Sequence, residues 1–147
     1  MKVYLASPFF NQEENNVYNN VINILRDQEN IDLFVPKEHT IPNAWDLTNR
    51  VWAESVFAVD ILGIQRADVV VVLNFGMYSD SGTAWECGYA YALGKKVVNV
   101  CVGYDKDFSL MMLNGTNCVV SLADLSLWTL EEILEGGLNL ANEYEQK

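Results

Sequence analysis

Positive charge is scarce in this sequence: nine Lys and Arg stand against 20 Asp and Glu, giving a formal net charge of -11 at pH 7 with the one histidine neutral. Such a surface repels a phosphate backbone and an anionic bilayer, which argues against nucleic acid and membranes as partners and favours neutral or cationic small molecules. Cysteine is equally sparse. Cys87, Cys101 and Cys118 are odd in number and form no CxxC, so neither a disulfide framework nor a zinc site is indicated, and no metal or cofactor is expected. Cys101 and Cys118 read as buried strand residues. No apolar run approaches the ~20 residues of a membrane-spanning helix, and Met1 to Phe10 lacks a signal-peptide pattern, so a cytoplasmic protein is expected. In that compartment the triplet Asn114-Gly115-Thr116, which fits the glycosylation pattern, is idle. Glycine is absent from the first strand-to-helix turn, Ala6-Ser7-Pro8-Phe9-Phe10-Asn11, and no Walker-type GxxxxGK occurs, which argues against dinucleotide and triphosphate binding.

What the chain does contain is apolar mass in alternating patterns. Its 147 residues, 50% hydrophobic and 20% charged, suit one domain over 1–147 with one real core. Strand-like runs are expected at Lys2 to Ala6, Ile31 to Val35, Asp68 to Leu73, Lys96 to Val102 and Asn117 to Ser121. Helical spacing falls between them: around Val17 to Leu25, from Asn43 to Asp60 and on toward Gln65, from Gly82 to Leu93, and from Leu127 to Tyr144, weakened by Gly136-Gly137. Strands separated by helices need right-handed crossovers, so the expected fold is an α/β flavodoxin-like or Rossmann-like sandwich with a mostly parallel five-stranded sheet.

The segment Asp80-Ser81-Gly82-Thr83-Ala84-Trp85-Glu86 follows the very apolar strand Val69 to Leu73, at the strand end where open α/β sheets place their ligands. Glu86 in the first turns of a helix would have its charge favoured by the helix dipole, and a positioned carboxylate can act as a nucleophile. The same residues also fit a T-x-x-E capping box, with Glu86 bonding the backbone at Thr83. Asp80 is an ordinary turn residue in its context. Paired with Glu86 in a dry pocket, it would push the two pKa values apart, as acid and nucleophile roles require. Asp60 follows the apolar stretch Val56 to Val59, where an unpartnered charge is costly; a bond to nearby backbone is the simpler account. Phe9 and Phe10 offer flat apolar surface on which a planar ring could stack. Tyr4 could point into the core or toward the site. His39 reads as a solvated loop residue, Cys87 has no histidine placed to activate it, and the four tryptophans read chiefly as packing mass, though Trp85 could dry the surroundings of Glu86.

Three stretches together carry a resemblance: Tyr4-Leu5-Ala6-Ser7-Pro8-Phe9-Phe10, Asp60-Ile61-Leu62-Gly63-Ile64, and Asp80 to Ala90. In this order and spacing the chain resembles the nucleoside 2-deoxyribosyltransferases up to the Met111 region. The resemblance implies exchange of the base of a 2'-deoxyribonucleoside for a free nucleobase through a covalent intermediate on Glu86. It implies that Asp60 and Asp80 contact or protonate the base, that Tyr4 lies against the nucleophile, and that Phe10 packs on the base, with Phe9 and Gly82 beside the substrate. It further implies a homo-oligomer, hexameric or dimer-based, whose sites are completed by a neighbouring subunit through Phe108 to Asn114. In that segment Met111 matches the family and Ser109 replaces its asparagine for the sugar 5'-hydroxyl, so Ser109 or Asn114 would supply that contact. The residues 142–147 do not match the terminal aromatic segment of relatives.

Two other readings share the scaffold. A hydrolase would cleave the N-glycosidic bond with water as acceptor, and the acidic run Glu13-Glu14 after the first loop favours a free nucleoside over a nucleotide there. A non-catalytic nucleoside sensor would keep the pocket, but binding alone does not require a positioned nucleophile.

Overall fold

The computed structural model describes residues 1–78, 80–103, 106–136 and 138–147. Five strands, β1 (Lys2–Ala6), β2 (Asp32–Phe34), β3 (Val69–Asn74), β4 (Lys96–Cys101) and β5 (Cys118–Ser121), form one sheet in the order β2-β1-β3-β4-β5. Every pairing is parallel, so the expected mostly parallel sheet is parallel throughout, with the flavodoxin-like strand order. Helices α1 (Gln12–Arg26), α2 (Asn49–Arg66), α3 (Ser81–Ala92), α4 (Leu110–Asn114), α5 (Leu122–Leu127) and α6 (Leu130–Gly136) connect and cover it.

A strand covered on both faces must be apolar at every position, and β3 is buried along its whole length. The twofold alternation of strand side chains then builds two cores. Val3, Leu5, Val71, Leu73 and Val100 point to the side covered by Tyr18, Val21 and Leu25 of α1 and by Leu125, Leu130 and Ile133. Tyr4, Ala6, Val70 and Val72 point to the other side, against Ile64 of α2 and Cys87 and Ala90 of α3. Cys101 and Cys118 are buried strand residues, as expected. Because the strand order reverses direction between β1 and β3, their carboxyl ends diverge into a crevice at the top of the sheet.

Two helices differ from expectation. α2 begins at Asn49, because Asn43 adopts a left-handed φ of 58° that no helix interior accommodates, and Thr48 caps the helix by accepting the Val51 N–H at 3.2 Å. The expected single helix from Leu127 to Tyr144 breaks at Trp128, which is extended. There Thr129 and Glu132 exchange hydrogen bonds between side chain and backbone, both 3.1 Å, and start α6 afresh. α6 ends at Gly136, and the Gly137 half of the expected weak point lies outside the described residues.

Candidate active site

Each acidic candidate is delivered by a different element. Asp80 is the N-cap of α3: its Oδ2 accepts the Thr83 N–H and the Thr83 hydroxyl, both at 2.8 Å. The T-x-x-E capping reading is therefore overturned. Thr83 lies inside the helix and is fully buried, the cap belongs to Asp80, and Glu86 is left for another use. From the second turn of α3, Glu86 reaches across to β1, where its Oε2 accepts the hydroxyl of Tyr4. Tyr4 satisfies both of its sequence readings, since its ring is wholly buried in the core while its hydroxyl lies on Glu86. Asp60 lies within α2, with an apolar turn on either side of it, and not at the end of a helix.

These groups share a cleft of about 880 Å³ whose lining includes Ser7, Phe9, Phe10, His39, Trp52, Asp60, Asp80 and Glu86. An adjoining hollow of about 450 Å³ shares Asp60 and Glu86 and adds Ile61, Ile64, Gly82 and Trp85. The structure thus gathers Tyr4, Phe9, Phe10, Asp60, Asp80, Gly82 and Glu86 into one region. The rings of Phe9 and Phe10 stack at 5.3 Å, with Phe9 packed on Tyr18 and Phe10 73% exposed, so one anchors the pair and the other is offered to a ligand.

Burial decides the electrostatics. It raises the Glu86 carboxyl to about 7; the Tyr4 hydrogen bond pulls it down, and the charges of Asp60 and Asp80 add to the rise. Asp60 is also raised by burial, against the lowering effect of His39. Burial and the neighbouring Glu86 hold the Tyr4 phenol far above its ordinary value, so Tyr4 stays a hydrogen-bond donor. The Cys87 thiol is pushed up to about 11 by burial, which removes it as a nucleophile. Among the described residues no group of three or more His, Cys, Asp or Glu could hold a metal ion.

Ser109, Met111 and Asn114 are not among the residues lining this cleft. Ser109 precedes α4, Met111 is 76% exposed, and Asn114 donates to Leu110 O at 2.8 Å and to Gln146 Oε1 at 2.7 Å. The last residues fold back here: Phe108 N–H donates to Glu145 O and Lys147 N–H to Phe108 O.

Two sets of residues have neighbours that local spacing does not show. His39 is exposed, but its ring stacks on Phe34 at 3.9 Å and lines the cleft with Asp60. No local spacing shows this; parallel pairing of β2 with β1 sets Phe34 beside Tyr4, and His39 stacks on Phe34. The tryptophans are not packing mass: Trp45 is fully exposed, and Trp52, Trp85 and Trp128 are about half exposed. Trp45 and Trp52 line the cleft, and Trp85 packs on Phe57 at 5.5 Å and Tyr89 at 5.3 Å.

The family described as "Nucleoside 2-deoxyribosyltransferase" matches residues 3–127. A nucleoside deoxyribosyltransferase of Lactobacillus leichmannii is 25% identical over 134 residues, covering 84% of this chain and 85% of that protein. Another from Lactobacillus johnsonii is 25% identical over 129 residues, covering 80% and 87%. The solved 2-deoxyribosyltransferase of Bacillus psychrosaccharolyticus superposes with a TM-score of 0.78 at 30% identity, over 90% of this chain and 96% of that one. A CMP N-glycosidase of Clostridium botulinum, at 17% identity and a TM-score of 0.61 over 87% of this chain and all of that one, shares the fold.

Proposed function

The chain belongs to the nucleoside 2-deoxyribosyltransferase family, and from that premise we propose that it transfers 2-deoxyribose between nucleobases through a covalent deoxyribosyl-Glu86 intermediate. The observation that carries this reading is the Tyr4 to Glu86 hydrogen bond at the floor of a cleft that also holds Asp60 and Asp80. A carboxylate used only for binding has no need of a buried phenol fixing its angle.

In the first step a Glu86 carboxylate oxygen bonds to C1' of the deoxyribose while the C1'–N bond breaks, its electron pair leaving with the base. Asp60 or Asp80 gives the departing base nitrogen a proton. An incoming base then attacks C1' from the vacated side and gives its N–H proton to the carboxylate that donated in the first step; the bond from C1' to Glu86 breaks with its electron pair returning to Glu86, so two inversions preserve the β configuration. Phe9, Phe10 and Gly82 border the base and sugar. Ser109, Met111 and Asn114, lying outside the chain's own cleft, are suited to complete the site of a neighbouring copy in a homo-oligomer, hexameric or dimer-based. Glu14 Oε1 already accepts the Phe10 N–H at 2.9 Å, so a carboxylate occupies the loop amide that a phosphate would use, which supports nucleosides over nucleotides as substrates.

The test is chromatography of the protein with deoxyinosine and free adenine, with inosine and acceptor-free controls. Deoxyadenosine without free deoxyribose is the expected product. Hypoxanthine released with deoxyribose whatever the acceptor would make water the natural acceptor and the protein a hydrolase.

Asp80 needs a variant that separates its cap from its chemistry. Asparagine caps a helix as well as aspartate does, so Asp80→Asn should melt like the wild type, whereas Asp80→Ala should lose about 1 kcal/mol. Exchange rates that fall in Asp80→Asn at unchanged stability assign the carboxylate to the base; an Asn variant as active as wild type would leave Asp80 only a cap.

A further inference from the structure

The Tyr4 ring, whose hydroxyl lies on Glu86, belongs to a stack of three rings. The Tyr4 ring stacks on Phe34 with centroids 5.3 Å apart and planes 15° apart, and Phe34 also stacks on His39 at 3.9 Å and 8°. Gly63 of α2 lies against this stack. A Cβ built on it would come within 2.9 Å of Phe34 Cε1, 3.0 Å of Phe34 Cζ and 3.0 Å of Tyr4 Cε2. Contacts that close force something to move, and the obstacles are two packed rings, not the loose end of a flexible chain. Tyr4 has little room to yield, since β1 is held between β2 and β3 and its ring is wholly buried. Gly63 has no positive φ to explain it, and alanine is the better helix former, so at this position the helix gives up stability for space.

We propose that Gly63 and Phe34 are positioning residues for the nucleophile: the missing side chain of Gly63 makes the space in which Phe34 clamps the Tyr4 ring, and the clamped ring holds its hydroxyl on Glu86. Neither residue touches substrate; both act through Tyr4. The inference rests on Glu86 being the nucleophile, but its test reads the carboxyl itself and not turnover.

Selective 13C labelling of glutamate, with the Glu86 signal assigned by its loss in Glu86→Gln, follows the Glu86 titration by NMR. The Tyr4 bond lowers the Glu86 pKa, so Tyr4→Phe should raise the midpoint above its starting value of about 7. Gly63→Ala should raise it in the same direction, by about one pH unit. The double variant should titrate like Tyr4→Phe alone. A folded Gly63→Ala with the wild-type midpoint would overturn the proposal, as would a further full shift on adding Gly63→Ala to Tyr4→Phe. Should Gly63→Ala not fold, Phe34→Leu removes the clamp without adding volume: an upward midpoint supports the proposal, and a wild-type midpoint overturns it. Absence of base exchange in the wild type would strike at the functional reading alone, because the titration still decides whether Gly63 and Phe34 hold Tyr4 on Glu86.

Discussion

Glu86→Gln is expected to lower kcat for base exchange by at least about a thousandfold and to eliminate any deoxyribosyl adduct from the intact-mass spectrum. It should also make the protein more stable than wild type above neutral pH. Glutamine keeps the shape of the side chain and an oxygen for the Tyr4 hydroxyl, so the packing around it survives, while an amide is too poor a nucleophile to form the adduct. The stability effect follows from burial. The folded chain holds the Glu86 proton up to about 7 against an ordinary value of 4.5. The stability contribution of the protonated carboxyl is fully present below the unfolded pKa and is lost as pH rises through the folded one, at a cost of about 3 kcal/mol. The glutamine of the variant does not titrate. The stability difference between variant and wild type, measured by denaturant unfolding, should therefore grow between about pH 4.5 and pH 7.5. An active variant would remove Glu86 from the mechanism; a stability difference flat with pH would show that the carboxyl is not held in a dry site.

The fold was readable because its determinants are local. A run such as Val69 to Leu73 buries on both faces only in a parallel sheet, and the helical stretches between runs leave few topologies to choose from. Helix ends were harder, because they depend on single residues. The left-handed Asn43 shortens α2, and the Thr129 to Glu132 exchange divides the last helical stretch, although T-x-x-E was legible there. The same pattern at Thr83 misled in the opposite direction, since Asp80 three residues earlier had already started the helix. Motif and context differ here only in which cap comes first along the chain. The family pattern singles out three carboxylates that the fold gathers at one cleft. His39 and Phe34 were not legible, because their meeting with Tyr4 depends on the pairing of β2 with β1. Exposure of the tryptophans was hidden for a related reason: hydrophobicity favours burial but does not say where.

Asp60→Asn should divide substrates by how well their base leaves. Asp80 commits one carboxylate oxygen to the backbone and hydroxyl of Thr83, whereas Asp60 makes no hydrogen bond or ion pair among the described residues and faces the cleft. Burial raises the Asp60 pKa, so it retains a proton to higher pH than an ordinary carboxyl, as a donor to a leaving base must. Asparagine cannot give that proton up. On deoxyinosine or deoxyadenosine, kcat should fall about a hundredfold. On 7-methyl-2'-deoxyguanosine, whose cationic base departs without taking a proton, the variant should stay close to wild type. A uniform loss on both substrates would instead make Asp60 a binding group, and selective loss in Asp80→Asn would move the donor role to Asp80. The pH profile gives an independent reading. On the 7-methyl substrate, whose base leaves unaided, wild type and Asp60→Asn should share one profile that rises as Glu86 loses its proton. The two carboxyls thus titrate in opposite roles: one must lose its proton before C1' is attacked, and the other must still hold its own when the base departs.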